Sequence, residues 1–280
     1  MKLLRYGPAG QEKPGMLAAD GTLRDLSGTV ADIAGDVISP EGLERLRAID
    51  PQSLPVVEGE PRLGPCVAGL QKIVCIGLNY SDHAAETGAE PPEEPIIFAK
   101  ALNALCGPND DVEMPRGSTA LDWEVELAVI IGKKTKYVSE ADAMDHVAGF
   151  AIMNDVSERN FQTKRSGQWT KGKSHDTFGP LGPWLVTRDE VADPHNLDMW
   201  LDVNGERRQT GNSNTLIFNV PYVIAYLSQF MTLMPGDVIS TGTPPGVGMG
   251  MKPPQYLKPG DVMTLSIAGL GEQRQTVVQA

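Results

Sequence analysis

Cysteine, histidine and aromatic residues are scarce in this chain, and long apolar runs are missing altogether. Among 280 residues there are 3 cysteines, 4 histidines and 6% aromatics. Cys66, Cys75 and Cys106 are odd in number and form no C-x-x-C pair, which argues against a disulfide framework or a zinc cluster and fits a reducing compartment. No apolar stretch approaches the roughly 20 residues of a membrane-spanning helix; LAVIIG is among the longer ones. The opening MKLLRYGPAG starts like a secretion signal but is broken by Arg5, Gly7 and Pro8, so a cytoplasmic protein is expected, without a membrane partner. Basic residues are also in deficit, 24 Lys and Arg against 36 Asp and Glu, for a net charge of −12. That balance argues against nucleic acid, whose phosphates demand clustered cations. It leaves an acidic small molecule open, because a local site can carry the opposite field.

What is abundant is turn chemistry. Gly (30) and Pro (22) are spread along the chain, and 41% of residues are apolar, as in a globular protein of many short strands. Residues 1–65 read as a small α/β module. KLLRYG and GMLAADGTLRDL are strands with Asp20-Gly21 as a hairpin turn, and a helix begins at Pro40 behind a Ser39 cap. The Pro-rich segment DPQSLPVVEGEPRLGP reads as a linker to a larger domain, residues 70–280. There KIVCIGL, WEVELAVIIG and HVAGFAIMND are strand candidates, and Asn204-Gly205 marks a second hairpin. LMPGDVIST and LKPGDVMTL share a turn-then-strand idiom without forming a repeat. One long helix is expected from Pro221, with Val223, Tyr226, Leu227 and Phe230 on a core-facing side. Strands and helices do not alternate regularly, which argues against a Rossmann fold or a TIM barrel.

Four clusters carry chemistry. Glu124 and Glu126 are two apart on a strand candidate and so share a face, while Val125 and Leu127 point to the other. Two adjacent carboxylates repel, and a cation removes that cost. Asp155 ends the next strand candidate and joins them if the two strands are neighbours; oxygen-only ligands suit Mg²⁺ or Mn²⁺. Spacing alone favours a plain solvated strand face. His83 and Glu86 lie three apart in GLNYSDHAAETG, where a carboxylate orients an imidazole to activate water, or where an exposed short helix carries an incidental pair. Lys171 and Lys173 flank Gly172; a lysine beside a metal stabilises an oxyanion or enolate, but an ordinary loop fits the spacing too. STGTPPGVGMG lacks the P-loop and dinucleotide patterns, though its amides and Thr243 suit a carboxylate.

In their order, CIGLNYSDHAAE, FAK, DWEVELAVIIG, GFAIMNDVSERNFQ, WTKGKSHDTFGPLGP, NGERRQTGN and PGDVISTGTPPGVG resemble the fumarylacetoacetate hydrolase family over about three quarters of the chain. The resemblance implies an α+β, mostly β fold, a mixed β-roll, usually assembled as a homodimer. It implies Glu124, Glu126 and Asp155 as ligands of Mg²⁺ or Mn²⁺, His83 and Glu86 as a water-activating pair on a lid, and Lys173 as the active-site lysine. Arg159, Gln162 and Thr243 match substrate-pocket positions, and Lys100 a pocket-edge position. Some relatives, the acylpyruvases, carry arginine where this chain has Leu78, so a different acyl portion or a different anchoring group is expected. The opening segment and GVGMGMKPPQYLKPGD look like the bacterial sugar-acid branch, which includes hydrolases of 2,4-diketo-3-deoxy-L-rhamnonate and L-fuconate. The implied reaction is hydrolysis of a C–C bond in a 2,4-diketo acid, the rhamnonate-derived one giving pyruvate and L-lactate. The alternatives are a 2-oxo acid decarboxylase acting on oxaloacetate, a hydratase or a tautomerase at the same metal-enolate site, or a non-catalytic β-rich module holding Ca²⁺.

Overall fold

The structure is a computed structural model in which residues 1–82 and 90–280 are described. Its strands in chain order are β1 (Lys2–Tyr6), β2 (Lys13–Leu17), β3 (Leu23–Asp25), β4 (Ile73–Gly77), β5 (Ile96–Lys100), β6 (Leu105–Cys106), β7 (Val112–Met114), β8 (Leu121–Asp122) and β9 (Val125–Ile131). There follow β10 (Val147–Asn154), β11 (Ser157–Glu158), β12 (Gly179–Thr187), β13 (Asp198–Val203), β14 (Glu206–Asn212), β15 (Val238–Ser240), β16 (Val262–Ile267) and β17 (Gly271–Gln279). Among the described residues, a 10-stranded sheet runs β3-β2-β1-β12-β10-β9-β15-β4-β5 with β6 beside β12, and a 5-stranded sheet runs β14-β13-β16-β17-β7. Both antiparallel and parallel pairs occur, β4–β15 being parallel. The chain is thus mostly β and mixed, as expected. The three strands of residues 1–65 extend the large sheet, through the antiparallel pairing of β1 with β12.

Strand β9 explains why VELAVII is almost wholly apolar. Val125, Leu127, Val129 and Ile131 pack into a core shared with Met199, Leu201, Met263 and Leu265 of the second sheet. Ala128 and Ile130 face the other core, with Ile38, Leu43 and Leu46 around the N-terminal helix Pro40–Arg47. A strand covered on both faces has no solvated side to carry polar alternation. The Ser39 hydroxyl caps that helix by accepting from the Gly42 N–H.

The helix Val220–Phe230 corrects the expected face. It buries Val220, Val223, Ile224 and Leu227, whereas Phe230 is 63% exposed. Along its outer side Tyr222 instead stacks on Tyr226, and Tyr226 meets Phe230 edge-on. Aromatic self-contact at i, i+4 competes with core burial for the same helical spacing. His146 and His195 are half-buried: the first bonds the Thr135 hydroxyl and the second accepts from the Val220 N–H.

The two Pro-Gly-Asp segments close the same turn. Asp237 accepts from the Met234 N–H at 2.8 Å, and Asp261 from the Lys258 N–H at 2.7 Å. Asp237 is buried and also accepts from the N–H groups of Gln71 and Lys72 and from the Lys72 ammonium, so it fixes the entry of β4 beside β15. Asp237→Ala strands three N–H donors and is expected to cost at least about 3 kcal/mol, against about 1 kcal/mol for the partly exposed Asp261→Ala. Thermal melting of the two variants checks this; equal losses would contradict it.

Candidate metal centre

Register brings the three carboxylates together. In the antiparallel pair β9–β10, Glu126 stands opposite Met153 and Val125 opposite Asn154, so the next residue, Asp155, arrives opposite Glu124. The Asp155 N–H donates to the Glu124 carbonyl at 2.9 Å. Ligand oxygens of Glu124, Glu126 and Asp155 all lie within 4.8 Å of one another, and all three residues are buried. The two strands expected to be neighbours are neighbours.

Buried charge is costly unless paired, and the partners are specific. Lys173 Nζ bridges Glu124 Oε2 at 2.5 Å and Asp155 Oδ2 at 2.7 Å. Lys100 Nζ donates to Asp155 Oδ1 at 2.5 Å and to the Val156 carbonyl at 3.0 Å. Arg159 reaches Glu124 Oε1 through Nη2 and Asp122 Oδ2 through Nε, each at 2.7 Å, and Gln162 Oε1 through Nη1 at 3.0 Å. Glu126 has only neutral donors, the Ser240 hydroxyl at 2.5 Å and the Gly242 N–H at 2.9 Å, both on Oε2. Among the described residues it is the one carboxylate of the network with no cationic partner.

The electrostatics follow from that inventory. Burial opposes the charge of Glu124, but Arg159 and Lys173 outweigh it and hold this carboxyl well below the usual range. Burial raises Glu126, and Asp155 and Glu124 raise it further, so its carboxyl sits well above the usual range. Burial also opposes charge on Lys173, yet Asp155 and Glu124 overcome it and keep the ammonium protonated. The donor set fits a hard divalent cation. Three clustered carboxylates offer oxygen only, one of them lacks a counter-charge, and about half of an octahedron is left for substrate and water. The buried triad is able to bind Mg²⁺ or Mn²⁺.

Local backbone places these groups. Lys173 ends the short helix Thr170–Lys173, which packs on the helix Arg159–Thr163 with Gly172 at the contact. A Cβ on Gly172 would lie 2.5 Å from the Gln162 nitrogen and the Glu158 carbonyl oxygen, so only glycine lets the turn approach closely enough. Lys171, its neighbour, points outward and donates to the Arg165 carbonyl.

A cavity of about 270 Å³ opens over the cluster and is lined by Glu124, Glu126, Arg159, Gln162, Lys173 and Thr243 on its polar side. The Thr243 hydroxyl donates to the Val125 carbonyl and accepts from Gln209. Lys100 is not at the pocket edge: it is buried behind Asp155 and orients that carboxylate. His83 and Glu86 lie outside the described residues.

Several supporting residues escaped the sequence reading. Asp122 holds Arg159 and also accepts from the N–H groups of Gly248 and Met249, tying that loop to the site. Asn154 and Gln209 accept the Glu124 and Val125 N–H groups where strand pairing runs out. Asp122 stands two before Glu124, and that spacing was its available signal; Ser240 had none.

The sequence profile of the Fumarylacetoacetate (FAA) hydrolase C-terminal family matches residues 72–278. A Burkholderia multivorans protein with only a provisional hydrolase name is 62% identical over 276 residues, 98% of each chain. The solved structure of a fumarylacetoacetate hydrolase from the psychrophile Exiguobacterium antarcticum is similar at TM-score 0.87 and 35% identity, covering 100% of both chains. Maleylpyruvate hydrolase from Sphingobium sp. SYK-6, solved with manganese(II) ion and pyruvate, is similar at TM-score 0.83 and 32% identity, again over 100% of both.

Loss of a hydrogen bond to a metal ligand typically weakens metal binding by about 10–100-fold. Ser240→Ala, which frees Glu126 Oε2 from its hydroxyl donor, is expected to raise the Mn²⁺ Kd by that factor in calorimetric titration with the melting temperature nearly unchanged. An unaltered Kd would remove Glu126 from the ligand set.

Proposed function

The chain belongs to the fumarylacetoacetate hydrolase family, and from that premise we propose that it hydrolyses the C3–C4 bond of a 2,4-diketo acid to pyruvate and a carboxylic acid. The observation that carries the reading is the buried triad with Glu126 short of a counter-charge and Lys173 beside it. When bound, Mg²⁺ or Mn²⁺ supplies a chelating centre for the 2-oxo acid end and a sink for developing negative charge. Glu124, Glu126 and Asp155 would hold it, with Lys100, Arg159 and Ser240 fixing their oxygens.

The chain's own residues supply the rest. Gln162 and Thr243 line the cavity and orient the substrate, and Arg159, also in the lining, holds Gln162 in place for it. His83, oriented by Glu86, takes a proton from water as the oxygen adds to C4; these two roles rest on the family resemblance. The C3–C4 bond breaks, its electron pair passes to the pyruvate enolate, and protonation at C3 completes the products. Lys173 contributes fixed positive charge where the enolate oxygen develops, without any reorganisation of the site. The substrate in the finer reading is L-2,4-diketo-3-deoxyrhamnonate, cleaved to pyruvate and L-lactate in sugar-acid catabolism by a cytoplasmic homodimer. The motif resemblance supports that substrate, and three buried free cysteines support a reducing compartment.

Protein loaded with Mn²⁺ is expected to release pyruvate from 2,4-diketo acids and to stop on chelation. Lys173→Met is expected to lower kcat by about 100-fold or more. Full activity of His83→Ala with metal bound would remove the water-activating role. Failure to release pyruvate from any 2,4-diketo acid, with oxaloacetate still decarboxylated, would favour a decarboxylase at the same centre.

A further inference from the structure

The cavity has a second side that the reaction does not use. Leu78, Phe98, Trp169 and Met249 line it alongside the polar groups. The wall starts next to the chemistry, with the Phe98 ring centroid 4.9 Å from Lys173 Nζ. It continues through Trp169, whose ring meets Phe98 edge-on at 5.1 Å. The indole lies over Gly77, where an added Cβ would come within 2.8 Å of it, so the end of β4 is moulded to the ring. Leu78 follows at φ 52°, a left-handed conformation rare for leucine. Its neighbour Asn79 holds it there, donating to the Thr241 and Phe218 carbonyls and accepting from the Phe218 N–H.

The cations that line the same cavity are already committed. Arg159 is engaged by Asp122, Glu124 and Gln162, and Lys173 by Glu124 and Asp155. A carboxylate at the far end of a substrate would meet no spare cation among the described lining residues. An uncharged chain would meet an apolar surface. At about 270 Å³ the space is also below the roughly 300–1,000 Å³ of drug-sized ligand pockets.

We infer that this site selects short 2,4-diketo acids whose acyl end is uncharged and ends in an apolar group, with Leu78, Phe98, Trp169 and Met249 as the residues that make the selection. The inference rests on the hydrolase reading above and narrows it. The lactoyl end of diketo-deoxyrhamnonate, uncharged and methyl-terminated, falls inside the class. Dicarboxylates such as maleylpyruvate fall outside it.

The test uses a pair matched in acyl carbon number, butanoylpyruvate and succinylpyruvate, with the Mn²⁺-loaded full chain. Pyruvate release is expected to give butanoylpyruvate a kcat/KM at least about tenfold higher. Leu78→Arg and, at the more exposed wall position, Met249→Arg each add a cation and are expected to move that ratio toward succinylpyruvate by about tenfold. Either variant that keeps the wild-type melting temperature suffices. Equal or better use of succinylpyruvate by the wild type would overturn the inference, as would an unchanged ratio in both folded variants. If neither compound yields pyruvate, the hydrolase reading has failed. The calorimetric Kd ratio for the same pair then still decides the wall: preference for the butanoyl compound sustains it, and no preference overturns it.

Discussion

Mutual repulsion among Glu124, Glu126 and Asp155, held within 4.8 Å of one another in a buried site, is the constraint on which the rest of the centre depends. Left alone, such a cluster would be expelled to water or would take up protons. Lys100, Lys173 and Arg159 surround it, and each is itself buried. Against the four carboxylates of the network, Asp122 included, these three cations leave one negative charge unmatched. Glu126, held only by the Ser240 hydroxyl and the Gly242 N–H, is the group left without a cation, and its raised carboxyl holds a proton until a metal ion takes that place. A protein that keeps so costly an arrangement intact is shaped for a cation.

The apolar frame makes this arrangement possible. β9 is buried on both faces, so its register against β10 and β15 is pinned by packing on two sides at once. A slip of one residue would turn Glu124 and Glu126 into the core and Val125 and Leu127 into the site. Asn154 and Gln209 extend the same control beyond the last strand pairs, and Gly172 lets the turn carrying Lys173 approach. The polar centre and the apolar wall thus share one scaffold, because β4 and β5 supply both Phe98 and the Gly77 surface under Trp169.

Much of this was legible in the sequence, for identifiable reasons. Period-two spacing put Glu124 and Glu126 on one face, and the order of motifs pointed to Asp155 and Lys173. Turn signals at Asp20-Gly21 and Asn204-Gly205 gave hairpins at the right places. What stayed hidden depends on contacts distant along the chain. Asp122 looked like one more acid before the motif, Ser240 like an ordinary strand residue, and Lys100 like a pocket residue when it stands behind Asp155. The helix Val220–Phe230 misled because Tyr226 and Phe230 repeat at core spacing yet meet edge-on along its outer side.

The most direct test of the account is an anomalous-difference map from crystals grown with Mn²⁺. One strong peak per chain is expected, about 2.0–2.2 Å from an oxygen of each of Glu124, Glu126 and Asp155. A peak elsewhere, or an ammonium of Lys173 still bridging Glu124 and Asp155 with no metal between them at saturating Mn²⁺, would contradict it.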